Sequence, residues 1–323
     1  MKQTINNIAI ITSGGDSPGM NACIRAITKT AWNLNISVFG VQDGYKGLID
    51  NVFFKIEEKH IQNIIGKGGT ILGTARSKRF YEKEHRATAI KNLKNKNIEG
   101  LIVIGGDGSF KGANLLQKEG NINIIGLPGT IDNDMFGTDS TIGYDTTLNT
   151  IMSAIDKIND TANSHKRLFL IEVMGKDAGF IAIRSTISGG AGMVLIPEEE
   201  TLYKDIYHHL EDKTNKANII IVAEGDDAGG ANNVAQKIKL KYPDYDTRVS
   251  ILGHIQRGGS PSAYDRVLAS RLGNAAVHAL INNNKDMMVG IVNNQIKHTP
   301  IMKCVKHNKT INTELLQLIK EIS

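Results

Sequence analysis

The 323-residue sequence predicts an α/β fold of doubly wound, mostly parallel sheet. Three observations carry that expectation. Short β-branched runs alternate with stretches of helical spacing along the whole chain. Several of the runs are apolar without alternation, as strands covered by helices on both faces are. The densest glycine- and carboxylate-rich motifs follow directly on such runs, which is where open α/β sheets bind ligands.

In chain order, Ile8–Ile11 reads as a first strand, followed by Thr12-Ser13-Gly14-Gly15-Asp16-Ser17-Pro18-Gly19-Met20-Asn21 opening a helix. Gly-Gly before a helix N-terminus is an anion site by geometry and dipole, and equally a tight turn. Val38–Val41 is a second strand. Leu101–Ile104 ends in Gly105-Gly106-Asp107-Gly108-Ser109, and Ile122–Leu127 ends in Pro128-Gly129-Thr130-Ile131-Asp132-Asn133-Asp134. The stripe Leu148, Ile151, Ile155 and Ile158 predicts a long helix, with Asp145, Thr146 and Thr147 as capping candidates and a domain boundary near Gly143. Leu168–Val173, Val194–Ile196 and Ile219–Val222 continue the alternation. A further strand is expected to end in His254, Gln256 and Arg257 before Gly258-Gly259. Lys94–Asn97 and Asn282–Lys285 read as helix ends and surface turns.

Composition sets bounds on this picture. The length fits two ordinary domains or one large α/β unit. With 41% hydrophobic but 5% aromatic residues, the core must be aliphatic. No apolar run reaches the length needed to span a bilayer, and Met1–Thr4 enters a strand without a cleavage-site pattern, so neither membrane nor export is expected. Cys23 and Cys304 match no metal spacing and fit a reduced, cytoplasmic protein. The net charge of +5 comes without a basic block interleaved with aromatics, which argues against nucleic acid.

The motifs point to phosphoryl transfer. Glycines in Gly105–Ser109 let backbone N–H groups approach phosphate oxygens, and Asp107 can hold a hard cation such as Mg²⁺. Asp132 or Asp134 can serve as a base on an attacking hydroxyl, where the plain alternative is capping of the next turn. His254, Gln256 and Arg257 suit phosphate capture by charge-assisted hydrogen bonds. Arg76, after Gly73-Thr74-Ala75, and Arg167, after the polar Ser164-His165-Lys166, are further cations on loops, with Arg248 close before His254. Neither a P-loop nor a Rossmann dinucleotide fingerprint occurs.

Together, Thr12–Asn21, Gly105–Ser109, Pro128–Asp134, Glu172-Val173-Met174-Gly175 and Gly253–Pro261 closely resemble the ATP-dependent bacterial 6-phosphofructokinases, in that family's order. The resemblance implies two doubly wound lobes with the active site in the cleft between them, in a cytoplasmic homotetramer. Residues 1–143 with about 256–306 would form the ATP lobe, and about 144–255 with 307–323 the sugar-phosphate lobe. By matched position, Gly15, Arg76, Ser77, Gly106, Asp107, Gly108 and Ser109 would bind ATP, with Asp107 serving Mg²⁺. Asp132 would take the proton from the 1-hydroxyl of fructose 6-phosphate. Thr130, Arg76 and Lys176 would hold the transferring phosphoryl group. Ile131, Met174, Gly175, Glu224, His254, Ile255, Gln256 and Arg257 would contact the sugar phosphate, joined by Arg167 and Arg248 from a neighbouring subunit.

The sequence departs from the family pattern in places. Lys176 stands where arginine is usual, which keeps the charge but loses the planar fork. In the effector pocket of regulated relatives, Arg25 is kept, while Lys29, Glu58 and Asn159 replace arginines and Gly192 replaces a glutamate. Weakened control by ADP and phosphoenolpyruvate is therefore expected. Pyrophosphate-using relatives carry Asp at the position of Gly108 and Lys at that of Gly129; glycine at both favours ATP as donor. An NAD or lipid kinase shares the Gly-Gly-Asp-Gly loop but leaves Pro128–Asp134 and Gly253–Pro261 unexplained. A silenced regulatory subunit would lack the carboxylates that Asp107 and Asp132 supply.

Overall fold

The apolar runs of the sequence become strands, and the computed structural model describes them within residues 5–165, 167–211 and 219–322. Met1–Thr4 and Lys166 lie outside the described residues. In chain order come β1 (Asn7–Ser13), α1 (Met20–Asn33), β2 (Ser37–Val41), α2 (Gly44–Asp50), β3 (Phe53–Lys55), α3 (Glu58–Ile61) and α4 (Lys83–Asn95). Then follow β4 (Gly100–Gly105), α5 (Asp107–Gly120), β5 (Asn123–Pro128), α6 (Tyr144–His165), β6 (Leu168–Val173), α7 (Phe180–Gly189), β7 (Met193–Leu195) and α8 (Tyr203–Glu211). The remainder is β8 (Ile219–Ala223), α9 (Ala231–Lys241), β9 (Thr247–Ile251), α10 (Ala263–Ile281), β10 (Met287–Val292), β11 (Gln295–Pro300), α11 (Ile301–Lys306) and α12 (Thr313–Ile322).

The chain divides into two units. One comprises Met1–Ile131, Met135–Thr146 and Arg257–Lys309; the other comprises Asp132–Asp134, Thr147–Gln256 and Thr310–Ser323. The first holds a seven-stranded sheet of order β11-β10-β5-β4-β1-β2-β3. Its inner strands are parallel, while β3 and β11 run antiparallel at the two edges. Side chains alternate across it as the pleat requires. Ile8, Ile10, Ile102 and Ile104 pack with α1 and α10 on one face. Ala9, Ile11, Leu101 and Val103 pack with α2, α4, α5 and α11 on the other. Both faces are apolar, which is why β4 and β5 read as unbroken hydrophobic runs.

The second unit holds a four-stranded, wholly parallel sheet of order β7-β8-β6-β9. Leu168, Leu170, Ile220 and Val222 on one face pack against Ile206 of α8 and Ala231, Val234 and Ile238 of α9. In both sheets the strand order reverses at a switch point. It lies between β1 and β4 in the first and between β6 and β8 in the second, whose onward connections leave in opposite directions, and loops after such strands form ligand crevices.

Several local expectations change. The segment Gly253–Arg257 is a 3₁₀ turn after β9, so His254, Gln256 and Arg257 do not end a strand. Asp145, Thr146 and Thr147 lie inside the first turn of α6 and do not precede it; Asp265 of α10 accepts from the N–H groups of Gly143 and Thr146 in their stead. Ser164 and His165 belong to α6 and not to a polar loop. β3, β10 and β11 are strands the sequence reading did not name, and β9 ends at Ile251, short of the end expected for that strand.

Candidate active site

In the first unit, three loops are set side by side by strand register. Ser13 at the end of β1 pairs with Gly105 at the end of β4, and Gly105 pairs with Pro128 at the end of β5. The loops are also stitched to one another. The Ser109 hydroxyl donates to the Ser13 carbonyl at 2.9 Å, and the Gly129 N–H donates to the Gly105 carbonyl at 3.1 Å. A Cβ at Gly105 would fall 2.5 Å from both the Ser109 hydroxyl and the Ser13 carbonyl, so only glycine permits this approach. A Cβ at Gly106 would lie 3.6 Å from Thr130, which brings the second and third loops into contact.

A fourth segment joins them. The Thr74 hydroxyl donates to the Gly14 carbonyl at 2.9 Å, and the Thr12 hydroxyl donates to the Gly73 carbonyl at 2.6 Å. These bonds fix the loop carrying exposed Arg76 and half-buried Ser77 against the first loop. Gly15 backs directly on Arg257, whose Nη1 would sit 2.7 Å from a Cβ at that position. A guanidinium and a glycine-rich backbone thus share one face of the first unit, an arrangement suited to phosphate oxygens.

Asp107 opens α5, with Gly106 as its N-cap, and forms a 2.7 Å ion pair with Lys111 one turn on. Its carboxylate is 30% exposed at the end of β4. Among the described residues no cluster of three or more His, Cys, Asp or Glu side chains could enclose a metal. One accessible carboxylate beside a glycine-rich loop is nevertheless a donor set that suits Mg²⁺, since that ion keeps water and shares phosphate oxygens. The residues fit that ion.

Thr130 and Ile131 continue the third loop, with Ile131 buried. The Thr141 hydroxyl donates to the Thr130 carbonyl at 2.6 Å, and the Ile142 N–H donates to the Pro128 carbonyl at 2.9 Å. Asp132, half-buried, follows and is counted with the second unit, as are Asn133 and Asp134.

In the second unit Met174, Gly175, Lys176 and Glu224 gather at the carboxyl edge of the sheet, with the turn carrying His254 and Gln256 following β9, whereas Arg167 and Arg248 lie at the amino ends of β6 and β9. Val173 of β6 pairs with Ala223 of β8, which sets Met174 beside Glu224; Glu172 pairs with Ile251 of β9, which leads into the 3₁₀ turn. Gly175 and Lys176 both have positive φ, and the Lys176 N–H donates to Glu224 Oε1 at 2.8 Å. His254 and Ile255 are exposed. Gln256 is fully buried: its Oε1 accepts from the Met174 N–H at 3.2 Å and its Nε2 donates to the Gly253 carbonyl at 3.0 Å. That side chain braces the backbone at Met174. Arg167 and Arg248 both pair with Asp246, at 2.5 Å through Nε and 3.0 Å through Nη2.

Sequence reasoning missed Asp246 and Asp265, and it placed Thr12 and Thr74 in motifs without giving them a role. Asp265 had a readable signal, because it and Ser262 have the spacing of a helix-start capping pair and the Asp265 N–H does donate to Ser262 Oγ. The threonine stitches had none, since both partners are carbonyls remote in sequence.

Comparison with known proteins agrees over the whole chain. A family model described as "Phosphofructokinase" matches residues 7–280. The chain is 48% identical over 323 residues to ATP-dependent 6-phosphofructokinase 2 of Bacteroides thetaiotaomicron, covering 99% of each. It is 49% identical over 324 residues to ATP-dependent 6-phosphofructokinase of Staphylococcus epidermidis, covering 99% of this chain and 100% of the other. Its fold matches phosphofructokinase from Saccharomyces cerevisiae with a TM-score of 0.86 and 37% identity, over 98% of this chain and 47% of the yeast chain. Such agreement from end to end, in sequence and in fold, makes the chain a member of the phosphofructokinase family.

Proposed function

We propose that the protein transfers the γ-phosphoryl group of ATP to the 1-hydroxyl of fructose 6-phosphate, giving fructose 1,6-bisphosphate and ADP as a step of glycolysis in the cytoplasm. The observation that carries this reading is the register that lines up the ends of β1, β4 and β5 at a switch point. It sets glycine-rich backbone, an accessible carboxylate and the Thr130 loop beside one another. Relatives near half-identical to this chain bear the name ATP-dependent 6-phosphofructokinase.

The first unit supplies the nucleotide residues: Gly15, Arg76, Ser77 and Gly106–Ser109. The second supplies Met174, Gly175, Glu224, His254 and Ile255 for the sugar phosphate, with Gln256 holding Met174 in place, and Arg257 of the first unit adds a cation. Asp132 removes the proton from the sugar hydroxyl as it attacks. Thr130, Arg76 and Lys176 orient and neutralise the phosphoryl group, which passes through a loose transition state where positioning and charge do most of the work. Asp107 would hold Mg²⁺, which when bound supplies charge neutralisation at the phosphates. Lys176, lacking the planar fork of arginine, gives that group a point charge. The protein acts as a homotetramer in which Arg167 and Arg248 serve a neighbouring subunit's sugar phosphate.

Control by ADP and phosphoenolpyruvate is weakened. Lys29 Nζ lies 2.8 and 2.9 Å from the two Glu58 carboxylate oxygens, so the one cation kept at these two positions is already neutralised within the chain. Asn159, in place of a further arginine, donates to the Gly189 carbonyl.

Magnesium-dependent release of ADP, assayed with and without fructose 6-phosphate, tests the activity. Asp132→Asn should lower kcat about 10²–10⁴-fold, as expected of a positioned general base, and leave the sugar-phosphate KM comparatively unchanged. Near-wild-type turnover in that variant would dismiss the base assignment. ADP release indifferent to the sugar phosphate would dismiss the whole reading.

A further inference from the structure

We infer that Asp265 is a positioning residue for phosphoryl transfer, holding the Thr130 loop and the first glycine loop in working geometry from a helix that touches neither substrate. The inference rests on the function proposed above. Asp265 lies in the first turn of α10 and is fully buried. Its carboxylate accepts three hydrogen bonds: from the Gly143 N–H at 2.9 Å, the Thr146 N–H at 2.8 Å and the Thr146 hydroxyl at 2.5 Å. The donors are Gly143, immediately before α6, and Thr146 in its first turn, so one helix caps another.

The Thr146 hydroxyl has a defined direction. It gives its proton to Asp265 and accepts from the Ser262 N–H at 2.9 Å, leaving the two helix starts locked to each other. Ser262 Oγ lies 2.5 Å from Asp145 Oδ2 and reinforces the lock.

What the lock holds is the chain just before α6. Ile142 and Thr141 clamp the carbonyls of Pro128 and Thr130, the residues that open the third loop. Gly143, with φ +103, approaches so close that a Cβ there would lie 2.6 Å from Ser17 Cβ; one at Gly19 would lie 2.8 Å from Ile142 Cγ2. Asp265 therefore sets, through Gly143, both the backbone register of Thr130 and the seat of the Ser17–Gly19 segment. A carboxylate can accept all three bonds, whereas an amide must turn its NH₂ towards one donor.

The test is Asp265→Asn, read by steady-state kinetics and thermal melting together, alongside Thr146→Val and Thr146→Ser. Displacement of reacting groups by a fraction of an ångström to 1 Å predicts a kcat loss of about 10–100-fold per folded molecule. KM for ATP and for the sugar phosphate should each stay within about threefold, because the loop's contacts in the transition state are what suffer. Thr146→Val should reproduce that split, and Thr146→Ser, which keeps the hydroxyl, should restore turnover. Should Asp265→Asn fail to fold, the threonine pair decides. A kcat within twofold of wild type in a folded variant overturns the inference, as does a loss explained wholly by the unfolded fraction or confined to KM. Wild-type protein that does not phosphorylate the sugar would instead sink the underlying function, so the two failures are distinct.

Discussion

At the scale of single residues, glycines divide into those the packing demands and those it does not. Gly129 is demanded: a Cβ there would lie 2.8 Å from Ile104 and 3.1 Å from Met20. Gly108 is not, because a Cβ there meets no atom within 4 Å. A side chain at 108 would point into open space in the first turn of α5, so packing does not require glycine there. Gly108→Asp should melt like wild type, since an acidic group near a helix N-terminus is favourable. Its kcat/KM for ATP should nevertheless fall by tenfold or more, as a like charge about 4 Å from a phosphate oxygen costs up to ~4 kcal/mol at an effective dielectric of 20. Unchanged kinetics with ATP would show that position 108 does not face the nucleotide. Residue identity at this scale was readable for chemistry but not for division of labour. Gln256 and Ser109 sit within site motifs, yet one braces Met174 and the other joins two loops. Only coordinates reveal which polar groups are already occupied.

At the scale of elements, legibility followed burial. β4 and β5, covered on both faces, announced themselves as apolar runs. β11 carries Lys297 and His298 on a sheet edge, and β3 is three residues long, so neither leaves a hydrophobic pattern. Pairings between elements were less legible still. Arg86 of α4 has a side chain only 9% exposed, donating to both carboxylate oxygens of Glu119 in α5 and to the carbonyls of Phe80 and Tyr81. Arg86's hydrogen bonds hold the Glu119 carboxyl below its usual range, against an opposing desolvation. A depressed carboxylate contributes stability above its unfolded value and loses it as pH falls through the folded value. Glu119→Gln should therefore cost about 3 kcal/mol near neutral pH, the scale of breaking a buried pair. Its Tm gap to wild type should begin to close as pH falls below about 4.3, the unfolded value, and disappear only once pH has passed the lower folded value. A Tm gap that is constant with pH would reject the ion pair as the source.

At the scale of the whole molecule, the fold class was legible because alternation of buried strands with helices constrains topology to few solutions. That the chain returns was not visible in any local pattern: Arg257–Lys309 rejoins the first unit and Thr310–Ser323 the second. It entered the sequence reading through the family resemblance alone. Two predictions belong here. Saturation curves for fructose 6-phosphate, recorded with and without phosphoenolpyruvate, should nearly superimpose, because Lys29 is held by Glu58; a large sigmoidal shift would defeat weakened control. The second concerns assembly. Asp246 gathers Arg167 and Arg248 into one cationic pair on the second unit, and the proposal assigns that pair to a neighbour's site. If so, a chain carrying Asp132→Asn still offers its arginines, and a chain carrying Arg248→Ala still offers its base. Co-expressed, two nearly inactive chains should form some complete sites, and random mixing in a closed symmetric assembly restores at most about a quarter of wild-type activity. The recovered activity should show a wild-type KM for the sugar phosphate, since each restored site has its full set of groups. Equal mixtures no more active than the better single variant would place Arg248 in its own chain's site or outside the site altogether.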